Sequence, residues 1–283
     1  MITLIGSGNV ATWIAQRLQD NSRFPITQVY SRKLEHAQML AEPLNAQAID
    51  DIRQLNPDNQ IFIFALADKA YDEILPKLTF RLSSAFLTSG TVSCQCLKDY
   101  ADHYGVIYPL QTFTKTQDMR TLEVPLCLEY HDSQWATLPS VETNSSQGPT
   151  LPSVETNSQE PTLPSVGNIQ MHSLARELSP KCYEVSEEQR ARMHVAAVFA
   201  CNFSNAMYNI AYKLLEEKGL PFEILLPVLR QTVRKVGEMT PAEAQTGPAV
   251  RRDYNVMQKQ LATLSDDRLK ELYRLVSELI MNF

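Results

Sequence analysis

No apolar run in this chain is longer than seven residues, at 61–67 and 195–201, against the ~20 that span a bilayer. Positive charge is not in excess either: 26 Lys and Arg against 32 Asp and Glu leave a net charge of −6, the wrong balance for gripping nucleic acid. Cysteines are few, five in all, scattered and odd in number. Cys94-x-Cys96 has neither the two-residue spacing nor the second pair of a zinc knuckle. Met1 runs straight into Ile-Thr-Leu-Ile without a basic, cleavable leader. The expectation is a reduced cytoplasmic protein with no metal, no nucleic-acid partner and no membrane partner.

Lys and Arg are absent altogether between Arg120 and Arg176, and that stretch holds a repeat. Thr-Leu-Pro-Ser-Val begins at residues 137, 150 and 162, and the first two copies continue Glu-Thr-Asn. The steps are far shorter than the 20–50 residues of stacked repeat units. One Leu and one Val per copy offer too little apolar surface to offset the entropy of ordering. Residues 136–168 are therefore expected to form an extended, Pro-broken loop that a Glu-specific protease cuts after Glu142, Glu155 or Glu160.

The chain has 283 residues, 44% hydrophobic and 20% charged, enough for buried cores in two domains of ordinary size. Over residues 1–135, apolar runs at 2–5, 26–30, 61–66, 85–87, 106–107 and 125–128 read as strands. Amphipathic stretches at 10–18, 34–41, 70–75 and 97–104 read as helices or crossovers between them. The alternation predicts an α/β fold, a doubly wound parallel sheet with helices on both faces. Residues 169–283 read as an all-helical domain. Ser186-Glu-Glu-Gln189 is a capping box opening a long helix to Glu217, closed by Gly219. Further helices are expected from 222 to about 237, from Pro248 to about 264, and from 266 to 282 with Ser265 as cap.

The most specific motif is Gly6-Ser7-Gly8-Asn9-Val10-Ala11, directly after the first strand and opening the first helix. Gly6 permits the tight turn, Gly8 lets the backbone approach a diphosphate, and Ala11 keeps helix and strand close. The free amides at Ser7, Gly8, Asn9 and Val10 face an anion. This is the Rossmann fingerprint for a dinucleotide. An NAD site wants an acid about 20 residues further on; here stand Ser31, Arg32 and Lys33, with no acid before Glu35. Ser31 and Arg32 suit a 2′-phosphate, so NADP (NADPH) is the expected cofactor. Ala65 and Leu66 after the third run, Ser89 after the fourth and Gln111 after the fifth fall at the strand ends where cofactor and substrate gather.

In the helical half, a projection at 100° per residue gives Phe199, Phe203, Ala206, Ile210 and Leu214 a core stripe. Arg190, His194, Cys201, Asn205, Tyr208 and Tyr212 share another line, with Asn202 adjacent. Asparagines are poor helix formers, and a polar stripe lining a cleft accounts for them; a solvated or dimer-facing side accounts for them equally. Thr246-Gly247-Pro248 opening a helix, with Arg251 in its first turn, suits a carboxylate or phosphate, or is only a tight interhelical connection.

These motifs resemble a bacterial family of NADP-dependent oxidoreductases, a Rossmann domain followed by a helical domain of unknown function. The matching residues are the Gly6/Gly8/Ala11 turn, Tyr108-Pro-Leu-Gln-Thr-Phe113, Glu188-Gln-Arg190 with His194-Val-Ala-Ala-Val-Phe, Asn202-Phe-Ser-Asn205, and Ala244-Gln-Thr-Gly-Pro-Ala249 with Arg251 or Arg252 and Asp253. Leu87 departs from the family, which tends to have a histidine before Thr-Ser-Gly. The architecture is similar to pyrroline-5-carboxylate reductase and the β-hydroxyacid dehydrogenases, whose helical domains dimerise and close the active site. The lysine and asparagine pair of the latter is absent. The resulting expectation is a reductase or dehydrogenase acting on a small polar, anionic metabolite in a cleft between the domains, working as a homodimer through the helical domain. His194 would donate the proton, Asn202 and Asn205 would orient the substrate, and Gln111, Thr246, Gly247 and Arg251 would bind it. The alternative is an NADPH-binding sensor or scaffold that turns nothing over.

Overall fold

The computed structural model describes residues 1–20, 22–132 and 165–282. Most of the repeat-bearing segment, with Glu142, Glu155 and Glu160, lies outside the described residues. Of its last copy only Ser165 and Val166 are within them: Ser165 caps the helix that follows by accepting from the Asn168 amide.

The chain forms two compact units, Met1–Phe203 and Ser204–Phe283. The first runs β1 (Ile2–Ile5), α1 (Asn9–Leu18), β2 (Ile26–Tyr30), α2 (Leu34–Ala41), β3 (Gln47–Ile49), β4 (Ile61–Phe64), α3 (Tyr71–Ile74), β5 (Leu82–Leu87), β6 (Ala101–Pro109), β7 (Leu126–Asp132), α4 (Val166–Leu178), β8 (Cys182–Glu184) and α5 (Glu187–Ala197). A π-helical stretch, Val198–Phe203, closes it. The strands make one sheet in the order β3-β2-β1-β4-β5-β6-β7-β8. β1 to β6 are parallel, β7 is antiparallel to β6, and β8 is parallel to β7. This is the doubly wound arrangement, with its order reversing between β1 and β4, where such folds bind ligands.

Alternation along the strands supplies both cores. On β1, Ile2 and Leu4 point into one layer with Trp13 and Ile14 of α1 and Met171 and Leu174 of α4. Ile5 points into the opposite layer with Phe62, Phe64, Tyr71 and Ile74. The continuous Ile61-Phe-Ile-Phe64 run is buried on both faces, as a central parallel strand must be.

Several expectations change. Residues 97–104 do not continue as a helix: Ala101–Tyr104 begins β6, paired with β5 on one side and β7 on the other. Two-sided pairing overrides a weak amphipathic pattern there. The part after residue 169 is not purely helical, since β8 completes the sheet and α4 packs against β6, β7 and α1.

The second unit is helical: α6 (Ser204–Glu216), α7 (Leu226–Glu238), α8 (Pro241–Ala244), α9 (Tyr254–Ala262) and α10 (Asp267–Asn282). α9 starts at Tyr254 and not at Pro248, because Arg252 adopts a positive φ of 54° that stops helix propagation, and Asp253 caps the new start by accepting from the Val256 amide. Asp266, not Ser265, accepts from the Arg268 amide ahead of α10. Phe199 and Phe203, expected in a core stripe, are 64% and 48% exposed. Among the described residues no helix is long and apolar enough to cross a membrane.

Candidate functional site

The glycine turn joins β1 to α1 at the switch point. Gly6 has φ +126°, and a Cβ on it would lie 2.1 Å from the Ala65 carbonyl oxygen, so only glycine lets the ends of β1 and β4 approach so closely. Its amide donates to Tyr30 O. Gly8 has open space where a Cβ would be, and no side chain caps the first turn of α1. Those amides are left to an anion. The residues fit a diphosphate: a side chain at Gly8 would fill the cradle that glycine leaves open.

A cavity of about 500 Å³ extends from this turn, lined by Gly6, Ser7, Gly8, Ser31, Arg32 and Leu66 among others, within the ~300–1,000 Å³ of small-molecule sites. Ser7 and Ser31 hydroxyls pair at 2.8 Å, linking the glycine turn to the end of β2. Arg32 and Lys33 stand at the mouth; Glu35 turns toward Lys33 and His36. Of the expected cofactor residues, Asn9 instead directs its side-chain amide to the Phe113 carbonyl, Val10 packs against the core, and the Ser89 hydroxyl donates to Asp68 at 2.8 Å.

The loop after β6 crosses α1. Lys115 donates to the Ser7 carbonyl at 2.5 Å, the Met119 amide donates to Gln16, and Phe113 lies against Trp13 with ring centroids 5.3 Å apart. Gln111 spends its amide on this loop, donating to Glu123 O and accepting from the Thr112 amide. Lys115 thus adds a cation beside the turn that strand-end reasoning did not single out.

A second cluster sits at the carboxyl ends of β5 and β6. His194, one helical turn after Arg190 on α5, places Nδ1 2.9 Å from the Tyr108 hydroxyl. Gly90, past β5, lies against both rings; a Cβ there would be 2.5 Å from His194 Nδ1 and 3.0 Å from Tyr108 Cζ. Burial pushes the Tyr108 hydroxyl up to about 12, so it keeps its proton at any working pH.

Arg190 fixes α5 over these strand ends. Its side chain has no exposure, donates to Ser89 O at 3.0 Å, and reaches Glu129 Oε2 of β7 through Nε and Nη2 at 3.3 and 3.1 Å. Glu129 Oε1 accepts from the Cys94 thiol at 3.2 Å and pairs with His131 Nε2 at 3.0 Å. Burial raises the Glu129 carboxyl, but the His131 and Cys94 hydrogen bonds and the Arg190 charge outweigh it and hold it below its usual value. Cys94, Glu129 and His131 present three possible metal-ligand atoms within 4.8 Å of one another, a cluster that sequence spacing did not reveal. Glu129 is, however, already paired with Arg190.

The other expected residues fall elsewhere. Asn202 is exposed in the π-helical stretch, and Asn205 is exposed on α6. A π turn takes up one extra residue, so the straight 100° projection that aligned Arg190 and His194 with Cys201 and Asn205 does not hold across it. In the second unit Thr246 and Gly247 line an apolar cavity of about 320 Å³, and Gly247 has φ +117°. Arg251 is exposed.

Sheet order, glycine turn and switch-point cavity together define a Rossmann-type dinucleotide-binding architecture with a helical C-terminal part. Residues 165–280 match the family model described as domain of unknown function DUF2520. A proposed NADP oxidoreductase from Bacteroides fragilis is 34% identical, over 100% of this chain and 98% of that one, with a TM-score of 0.80. This chain belongs to the same family, the Rossmann-type proteins that carry DUF2520. More distant structures share the fold. Pyrroline-5-carboxylate reductase from Streptococcus pyogenes is 15% identical, over 100% of this chain and 98% of that one, with TM-score 0.60. The reductive aminase from Aspergillus terreus, in complex with NADPH and ethyl-5-oxohexanoate, is 15% identical over 99% and 92%, with TM-score 0.65. No curated protein sequence matches the chain.

Proposed function

We propose that this protein is an NADP(H)-dependent oxidoreductase acting on a small polar, anionic metabolite. The observation that carries the reading is the open, uncapped Gly6–Gly8 turn sharing one cavity with Ser31 and Arg32. The name of the Bacteroides fragilis relative and the NADPH bound by the Aspergillus terreus reductive aminase support the coenzyme class. Gly6, Ser7 and Gly8 would hold the diphosphate. Ser31 and Arg32 would hold the 2′-phosphate, and Ala65 and Leu66 would wall the site. When bound, reduced coenzyme supplies the hydride. His194 would supply the proton, and Arg251 is the cation that would read the metabolite's negative charge.

Arg32→Glu tests the coenzyme assignment. A charge-assisted contact is worth ~1.5–3 kcal/mol, so affinity for NADPH should fall about ten- to a hundredfold while NADH affinity changes little. A screen of carbonyl and imine compounds then separates enzyme from sensor: sustained NADPH oxidation supports the reading, and tight binding without turnover of any compound contradicts it.

We also propose a homodimer formed through the second unit. Val228, Val233 and Val236 of α7 and Leu275 and Leu279 of α10 are all more than a third exposed, a density of apolar surface that calls for a cover. The five cysteines are all free, which suits the reducing cytoplasm we propose as its location.

A further inference from the structure

His194 offers two ring nitrogens, and among the described residues only one is engaged. Nδ1 lies 2.9 Å from the Tyr108 hydroxyl, whereas Nε2 has no partner among the described residues. Three separate segments make the arrangement: the turn after β5 through Gly90, the end of β6 through Tyr108, and α5 through His194. The rings meet edge to face, centroids 5.9 Å apart at 61°. Any side chain at Gly90 would overlap Nδ1 and Cγ of the imidazole, which a Cβ would approach to 2.5 and 2.9 Å. The turn is thus shaped to the pair, not to either ring alone.

We propose that Tyr108 is the positioning residue for His194: its hydroxyl occupies Nδ1 and reserves Nε2 as the nitrogen that exchanges a proton with a carbonyl or imine substrate. The inference rests on the reading of His194 as proton donor. A phenol hydroxyl both donates and accepts. It donates to Nδ1 of the neutral ring, which then carries its own proton on Nε2, and it accepts from Nδ1–H of the protonated ring. Nδ1 stays paired in both states, and the ring need not rotate between them. Burial keeps the phenol protonated, so the hydroxyl can donate to the neutral ring or accept from the protonated one without itself ionising. In the proton-transfer step the Nε2–H bond of the protonated ring breaks and its electron pair stays on Nε2. The substrate's π pair, displaced onto oxygen or nitrogen as hydride from the reduced coenzyme adds to carbon, takes the proton. The ring ends neutral and is reprotonated from solvent.

Nitrogen-15 spectra of histidine-labelled protein without coenzyme test this directly, with His194→Gln identifying the signal among the five histidines. The neutral wild-type ring should show one dominant form, proton on Nε2 and Nδ1 accepting. Tyr108→Phe should populate both forms and draw the two nitrogen signals toward each other, while NADPH affinity stays within about twofold of wild type. With a turned-over substrate, the same change should lower kcat about tenfold or more and leave the KM for NADPH unchanged. A wild-type ring protonated on Nδ1, or spectra that Tyr108→Phe leaves unaltered, overturns the proposal. The wild-type spectrum alone decides it should Tyr108→Phe fail to fold. Absence of NADPH binding would sink the proposed function and leave the tautomer result standing.

Discussion

Arg190 illustrates how single residues carry this structure. It is a long cation with no exposed side-chain surface, and burying it is tolerable only because Glu129 and the Ser89 carbonyl satisfy it. Removing one partner leaves the other charge stranded, at a cost of ~3–5 kcal/mol. Denaturant titration should therefore show Arg190→Ala destabilised by about that amount, and Arg190→Met with Glu129→Gln together nearer to wild type. The same pair sets a pH dependence. The folded Glu129 carboxyl titrates below its unfolded value, so its stabilisation is complete above the usual glutamate range, ~4.3, and is lost as pH falls through the folded value. Wild-type stability should drop on acidification through that window, and Glu129→Gln should start lower at neutral pH and fall less steeply; parallel curves would refute the assignment. Gly6 is equally constrained. Gly6→Ala combines a positive φ with a 2.1 Å overlap on a backbone carbonyl, and unfolding measurements should show a loss of at least ~2 kcal/mol.

Elements differed in how clearly the sequence announced them. β1, α1, β2 and β4 follow from local signals: dense apolar runs, a glycine turn and a helix start within a few residues of one another. The capping box at Ser186 and Gln189 forms as its spacing requires, and Ser186→Ala should cost about 1 kcal/mol in thermal or denaturant unfolding. β3 and β8, three residues each, are too short for a periodic pattern and exist because neighbours offer an open edge. The start of β6 was hidden because pairing partners, not its own pattern, make it a strand. The π stretch at Val198–Phe203 has no compositional mark, and it rotates the residues after α5 away from the line that a straight helix would give them. At the candidate site, the Gly6–Gly8 turn was legible for its compact motif and Arg32 for its place after β2. The Tyr108–His194 contact and the Arg190–Glu129 pair join residues 86 and 61 apart in sequence, and no spacing rule reaches that far. Lys115 was missed because nothing local distinguishes a loop lysine that happens to reach the glycine turn.

For the whole molecule, two properties can be measured without knowing the substrate. Sedimentation should give twice the 32.0 kDa chain mass if the second unit forms the proposed dimer, and Val233→Asp should shift it toward monomer; a wild-type monomer at micromolar concentration contradicts the dimer. Whether the amides after β1 cradle a dinucleotide diphosphate is read by calorimetric titration of NADPH into wild type and Gly8→Val. Gly8 has an ordinary φ of −77° and free space around it, so the valine protein should melt close to wild type while its side chain occupies the cradle. Wild type should show saturable one-site binding, and Gly8→Val a loss of affinity of at least about a hundredfold. No heat of binding to wild type, or equal affinity in the two proteins, would contradict it.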